Sequence, residues 1–192
     1  ELIMKNDLKE AQLKYLQAQI NPHFIYNTLN SVSCMALLHQ ENEISQVLGS
    51  LTKVIRYNLK KPDAIVHLEE ELENIYSWCR IQECCYEQSI RFSYDIQVPA
   101  DQIKIPKLII QPLIENAVVH GANFAGEDAR ICLHIWMEGK CLYIVVWDNG
   151  TDVDTDRINR LACGKGEVCS DSLGVRNVYE RIRLRYGSAG QM

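Results

Sequence analysis

Gln19-Ile20-Asn21-Pro22-His23-Phe24-Ile25-Tyr26-Asn27 sets the architecture of the N-terminal region. Upstream of it, Lys5 to Gln19 is rich in Leu, Lys, Gln and Ala, all good helix formers. Wound at about 100° per residue, Gln12, Leu16, Gln19, His23, Asn27 and Asn30 fall on one mostly polar stripe. Phe24, Ile25, Thr28, Leu29, Val32, Met35 and Ala36 gather on the opposite side. The spacing predicts a long helix with one wet stripe and one apolar face, which needs partner helices. Pro22 removes a backbone hydrogen bond, so a kink is expected just before His23.

After a polar break at Gln40–Glu43, Ile44 to Leu59 reads as a second helix with Val47, Leu48, Leu51, Val54 and Ile55 apolar. Two helices joined by a short loop make an antiparallel hairpin. A hairpin alone buries too little, so two chains forming a dimeric four-helix bundle is its natural completion. Lys60-Lys61-Pro62-Asp63 reads as a linker, dividing the chain into 1–62 and 63–192.

Beyond the linker the pattern changes. Leu68 to Tyr86 is expected to be helical, with Glu69, Glu70 and Glu71 near its positive end. Ile90–Val98 alternates as a strand. Pro106 is expected to open a further helix that Gly121 closes. Ile131–Met137 and Leu142–Trp147 read as a strand pair turned at Glu138-Gly139-Lys140. Residues 149–172 read as a polar loop with one helical turn at Ile158–Ala162, and Gly174–Tyr186 as a final helix. This order predicts an α+β fold: a helical hairpin followed by an α/β layer sandwich.

The 192 residues suffice for one or two domains, and 47% hydrophobic with 23% charged content is ordinary for a globular protein. A net charge of −5 gives no reason to expect nucleic acid as a partner. No apolar run reaches the roughly 18 residues of a membrane-spanning helix. The start at Glu1 lacks a basic-then-apolar pattern, so no signal peptide is expected. Eight cysteines lie scattered without a CxxC pair, and five histidines lack paired metal spacing. Free, buried thiols in a reducing cytosol are the expectation.

Four stretches carry residues suited to chemistry. Neutral imidazole is a good nucleophile near neutral pH, so His23 on an exposed stripe suits attack on a phosphoryl group. Asn27, one turn on, is placed to hydrogen-bond one ring nitrogen and leave the other for the reaction. An isolated helical histidine is ordinarily a plain surface residue; the preceding proline sets this one apart. In Pro106 to Gly121, Pro112, Asn116 and His120 share a face of an otherwise apolar helix. The Asn116 oxygen suits Mg²⁺ bound to a triphosphate, or a neighbouring backbone group in a core. Val145-Val146-Trp147-Asp148-Asn149-Gly150 delivers a carboxylate to a strand end, where it can accept adenine amino hydrogens or make a plain turn. Ser172-Leu173-Gly174-Val175-Arg176-Asn177 runs a small-residue loop into a helix N-terminus, a place for phosphates.

The order and spacing of these stretches resemble one family, the sensor histidine kinases of the autolysin-sensor type (the LytS/YehU/YesM-like class). The resemblance covers roughly Leu13 to Gly187. Gln17 to Asn30 resembles its phosphoacceptor motif, and Pro106 to Gly121 its N box. Asp148-Asn149-Gly150 matches its first glycine box, and Leu173 to Val178 with Arg181 the second. The resemblance implies a dimeric kinase core whose 63–192 part is an ATP-binding domain of the GHKL superfamily (gyrase, Hsp-type chaperone, histidine kinase, MutL). His23 would take the γ-phosphoryl of ATP and pass it to an aspartate of a response-regulator receiver domain, with Asn27 and Glu115 completing the catalytic set. Asn116 would ligate Mg²⁺ and Asp148 would bind adenine. His120, Gly150, Ser172, Gly174 and Asn177 would complete the nucleotide site, Gly150 and Gly174 flanking a mobile lid. The fragment would be the cytoplasmic portion of a bacterial protein anchored in the membrane upstream, itself making no membrane contact.

Three features depart from the family pattern. Asp152 stands where a second glycine usually follows the first, Ser172 where the second box usually begins with Gly, and the chain stops at Met192 before the usual closing strand. They motivate an alternative, a non-catalytic dimerisation and signalling module with a degenerate ATP site. A serine kinase of the anti-sigma type is disfavoured by the histidine-bearing hairpin.

Overall fold

A computed structural model describes residues 22–59, 64–86, 90–121, 128–150, 173–187 and 190. The chain divides into two compact units, Glu1–Leu59 and Lys60–Met192.

In the first unit, α1 (Pro22–Leu38) and α2 (Asn42–Leu59) pack side by side as a hairpin. The chain reverses at Gln40, whose φ of 62° puts it in the left-handed region that ends many helices. The Glu41 N–H then donates to the Ala36 carbonyl at 2.8 Å, satisfying an acceptor of the last turn. Between the helices, the Ser33 and Ser45 hydroxyls meet at 2.8 Å and the Arg56 guanidinium lies 5.5 Å from the Tyr26 ring centre. Ala36, Val54 and Tyr57 are buried, whereas Phe24 is 68% and Met35 59% exposed, with Val32 and Leu38 exposed beside them. The apolar face read from the sequence is therefore split, part covered by α2 and part bare. The kink expected before His23 involves residues outside those described, as does the linker at Lys60–Asp63.

The second unit contains, among its described residues, β1 (Ile65–His67), α3 (Leu68–Cys85), β2 (Ile90–Ile96), β3 (Lys104–Pro106), α4 (Gln111–Gly121), β4 (Ala129–Glu138), β5 (Cys141–Asp148) and α5 (Leu173–Tyr186). The fold is mixed α+β. β1 and β3 pair antiparallel, and a second sheet runs β2-β4-β5, with β2 parallel to β4 and β4 antiparallel to β5. Alternation does the sorting: Ala129, Ile131, Leu133 and Ile135 are buried on one face of β4. Ile131, Leu133 and Ile135 sit opposite Phe92, Tyr94 and Ile96 of β2, and the first two opposite Asp148 and Val146 of β5. That face meets Leu72, Ile75 and Cys79 of α3 and Ile114, Ala117 and Val118 of α4 in two clusters, the larger also taking in Val178 of α5. On the opposite face Trp136 and Tyr143 stack with ring centres 5.0 Å apart. The β4–β5 turn falls at the expected place, with Gly139 at φ 61°.

The start of α4 differs from the sequence expectation. Pro106 ends β3, opposite Ile65, and the helix begins five residues later at Gln111. The intervening turn is held by Glu71 of α3, wholly buried, whose carboxylate accepts the Leu108 N–H at 2.9 Å and the Ile110 N–H at 3.2 Å. Leu108 is left-handed, φ 58°, and Lys107, also 0% exposed, donates its backbone N–H to Ala64 at 3.0 Å. The proline suited to a first helical turn is Pro112, where a missing N–H costs nothing. The cysteines differ as well. Of the six described, all free thiols, Cys79 is buried and Cys132 half-buried, while Cys34, Cys84, Cys85 and Cys141 are exposed. The loop turn expected at Ile158–Ala162 lies outside the described residues.

Candidate functional site

His23 occupies the second position of α1 and is exposed. Asn27, one turn on, places its amide 3.3 Å from His23 Nδ1. The same helix carries Thr28 and Ser31, whose hydroxyls donate to the carbonyls of Phe24 and Asn27, each at 2.8 Å. Thr28 and Ser31 thus spend their hydroxyls on the helix backbone, and on the polar stripe the imidazole and the carboxamide are the groups suited to chemistry.

In the second unit, α4 packs against β4, β5 and α5. Asn116 and Glu115 lie half-buried on it. Glu115 Oε1 accepts from Gln111 Nε2 at 2.6 Å, and Gln111 Oε1 accepts from Asn74 Nδ2, also at 2.6 Å. At the end of β5, half-buried Asp148 accepts the Gly150 N–H through Oδ1 at 2.9 Å, a tight turn about the carboxylate. Asn149 has a structural task. Its Oδ1 accepts the Arg130 N–H at 2.7 Å and its Nδ2 donates to the Asp128 carbonyl at 3.2 Å, pinning the start of β4 to the end of β5. On α5, a β-carbon added to Gly174 would stand 3.4 Å from Pro112 Cβ, an ordinary contact distance, so the start of α5 lies against α4. Asn177 is exposed three residues further on.

The second unit thus holds Glu115, Asn116, Asp148, Gly150, Gly174 and Asn177 on the adjoining elements α4, β5 and α5. Ser172, Asp152 and the side chain of His120 lie outside the described residues. His23 and Asn27 belong to the first unit. Sequence reading missed Glu71, Asn74 and Gln111. For Glu71 and Asn74 the available signal was a polar residue within the helical repeat of Leu68, Leu72, Ile75 and Cys79, positions that the core needs.

The donor chemistry suits magnesium carried in on a nucleotide. Mg²⁺ takes hard oxygen ligands and is commonly held by one or two protein groups plus substrate phosphates. Among the described residues no cluster of three His, Cys, Asp or Glu side chains could hold a metal alone. Asn116 offers a neutral amide oxygen, a donor suited to a shared site of that kind.

Comparison with known proteins points in one direction. Residues 11–90 match the family model described as histidine kinase. Over most of its length the chain is similar to sensor histidine kinases of the autolysin-sensor class. Within it, the chain is 36% identical to the sensor histidine kinase YesM of Bacillus subtilis over 180 residues, 94% of this chain and 30% of that protein. It is 30% identical to the sensor protein LytS of Enterococcus faecalis over 188 residues, 95% of this chain and 31% of that protein. It is 28% identical to the sensor protein kinase HptS of Staphylococcus aureus over 188 residues, 96% of this chain and 36% of that protein. The chain therefore spans about a third of these relatives' length. No helix among its described residues is long and apolar enough to cross a membrane.

Proposed function

We propose that this chain is the kinase core of a two-component sensor, phosphorylating itself on His23 from ATP and passing the phosphoryl group to a receiver-domain aspartate. The observation that carries the reading is the exposed imidazole with a carboxamide one turn away, on a helix of a unit distinct from the one bearing Asn116 and Asp148. The names of the relatives point the same way.

In this reading 63–192 is a GHKL-type nucleotide domain and 1–62 a dimerisation and phosphotransfer hairpin. The bare apolar side chains Phe24, Val32, Met35 and Leu38 support pairing of two hairpins into a four-helix bundle. Asp148 Oδ1 is already held by Gly150, which fixes the carboxylate for the adenine amino group. Asn116 would hold the nucleotide's metal, and Glu115, the preceding residue, would supply a carboxylate to the site. Bound Mg²⁺ would neutralise charge on the phosphates. Helix α5 presents its N-terminal N–H groups to the same region. His23 Nε2 attacks the γ-phosphorus as the bond to the β-phosphate oxygen breaks, ADP departs and Nδ1 releases its proton to solvent. For the transfer the reacting atoms must come within about 3–3.5 Å of one another. The chain is then the cytoplasmic part of a membrane-anchored bacterial sensor that acts as a homodimer.

Calorimetric titration with Mg-ATP tests the nucleotide half of this reading. Saturable heat that disappears in Asp148→Ala is expected. No heat at millimolar nucleotide would favour the non-catalytic signalling module.

A further inference from the structure

Asn74 on α3 is 3% exposed, and Gln111, the first residue of α4, is 6% exposed. Asn74 Nδ2 donates to Gln111 Oε1 and Gln111 Nε2 to Glu115 Oε1, both at 2.6 Å. The direction of both bonds is set from the Glu115 end. An ionised carboxylate only accepts, so Gln111 turns its NH₂ toward Glu115. Its oxygen then faces Asn74, which must present its own NH₂. That leaves Asn74 Oδ1 buried with no hydrogen-bond partner, which is unfavourable. Apolar side chains at both positions would spare that cost, since the neighbours Leu72, Ile75, Ile110 and Ile114 are already core. The amides are retained at a penalty, and what they reach is the carboxylate adjoining Asn116.

We propose that Asn74 and Gln111 are positioning residues, a two-amide relay that fixes Glu115 beside Asn116 so that α3 governs how the site engages magnesium-bound nucleotide. The proposal rests on the kinase reading above and adds to it a dependence on residues that touch neither nucleotide nor metal.

A double-mutant cycle on the 192-residue chain tests it. ATP binding is titrated with Mg²⁺ and with chelator for the parent chain, Gln111→Leu, Glu115→Ala and the double variant, each checked for cooperative thermal unfolding. Gln111→Met, unbranched and close in length, replaces Gln111→Leu should the latter not fold. Loss of a metal site's outer partner typically costs about 10–100-fold. Gln111→Leu is expected to lower the magnesium-dependent gain in ATP affinity by about tenfold or more, Glu115→Ala likewise, and the double variant no more than Glu115→Ala alone. Asn74→Leu should behave as a weaker Gln111→Leu. Additive losses in the double variant, with Mg-ATP binding intact in the parent, overturn the relay and leave the kinase reading standing. Absence of any Mg-ATP binding by the parent overturns the kinase reading, and the relay falls with it.

Discussion

The Asn27 amide stands 3.3 Å from Nδ1 of His23, one turn along the exposed face of α1. Which amide atom faces the ring decides which ring nitrogen can react. With NH₂ facing it, Nδ1 accepts and Nε2 carries the proton. With the carbonyl oxygen facing it, Nδ1–H donates and the Nε2 lone pair is the nucleophile. A half-turn of the carboxamide exchanges the two, and attack through Nε2 requires the second. Asn27→Asp, which only accepts, should therefore keep phosphorylation. Asn27→Leu should lower its rate about tenfold, the ~1.4 kcal/mol of one hydrogen bond that selects a tautomer. Rates of label incorporation at saturating ATP check this; equal rates in both variants would remove Asn27 from the account.

Glu71 holds the turn that aims α4. Glu71→Ala would orphan the Leu108 and Ile110 N–H groups while Lys107 stays buried. A loss of about 3 kcal/mol or more is expected from denaturant unfolding, and a smaller loss in Glu71→Gln, which still accepts. A change below about 1 kcal/mol in Glu71→Ala would show that the turn holds without it.

Burial pushes the Cys79 thiol up to about 12 from an ordinary 9.0, and burial also raises Tyr94 and Tyr76. Above pH 9 the unfolded chain releases the Cys79 proton while the folded chain keeps it. The native state then binds more protons, and stability falls as pH rises from about 9 toward 12, by up to ~1.4 kcal/mol per pH unit for this group. Native alkylation at pH 8 should spare Cys79 and modify exposed Cys34, Cys84, Cys85 and Cys141. Mass spectrometry of the labelled peptides reads the outcome, and fast labelling of Cys79 would contradict its placement.

Gly174 sets the approach of α5 to α4. A single β-carbon at 3.4 Å from Pro112 is ordinary contact, so Gly174→Ala should leave stability and nucleotide affinity within twofold. Gly174→Val adds branches that force the helices apart, at about 1–3 kcal/mol. Equal behaviour of the two variants in unfolding and titration would show that the contact is unimportant.

Local pattern revealed what local pattern controls. The hairpin, α3, the β4–β5 turn at Gly139 and α5 follow from apolar spacing and from turn residues, and apart from the start of the first helix, which lies outside the described residues, their ends fall within a few residues of expectation. β1 and β3 are three residues each, too short for alternation to register. Pro106 imitates a helix start that belongs to Pro112, because only the distant Glu71 shows that the intervening turn is held open. The link from Asn74 to Gln111 spans 37 positions and has no local signature. His23, Asn116 and Asp148 stood out by residue type and motif, whereas the residues that orient their neighbours emerge only from packing.

Phosphoryl transfer to His23 is the claim to test first. With γ-labelled ATP and magnesium, the protein should take up phosphate that is lost in acid, kept in base and absent from His23→Gln. Label persisting in His23→Gln, or surviving acid as a phosphoester does, would contradict it.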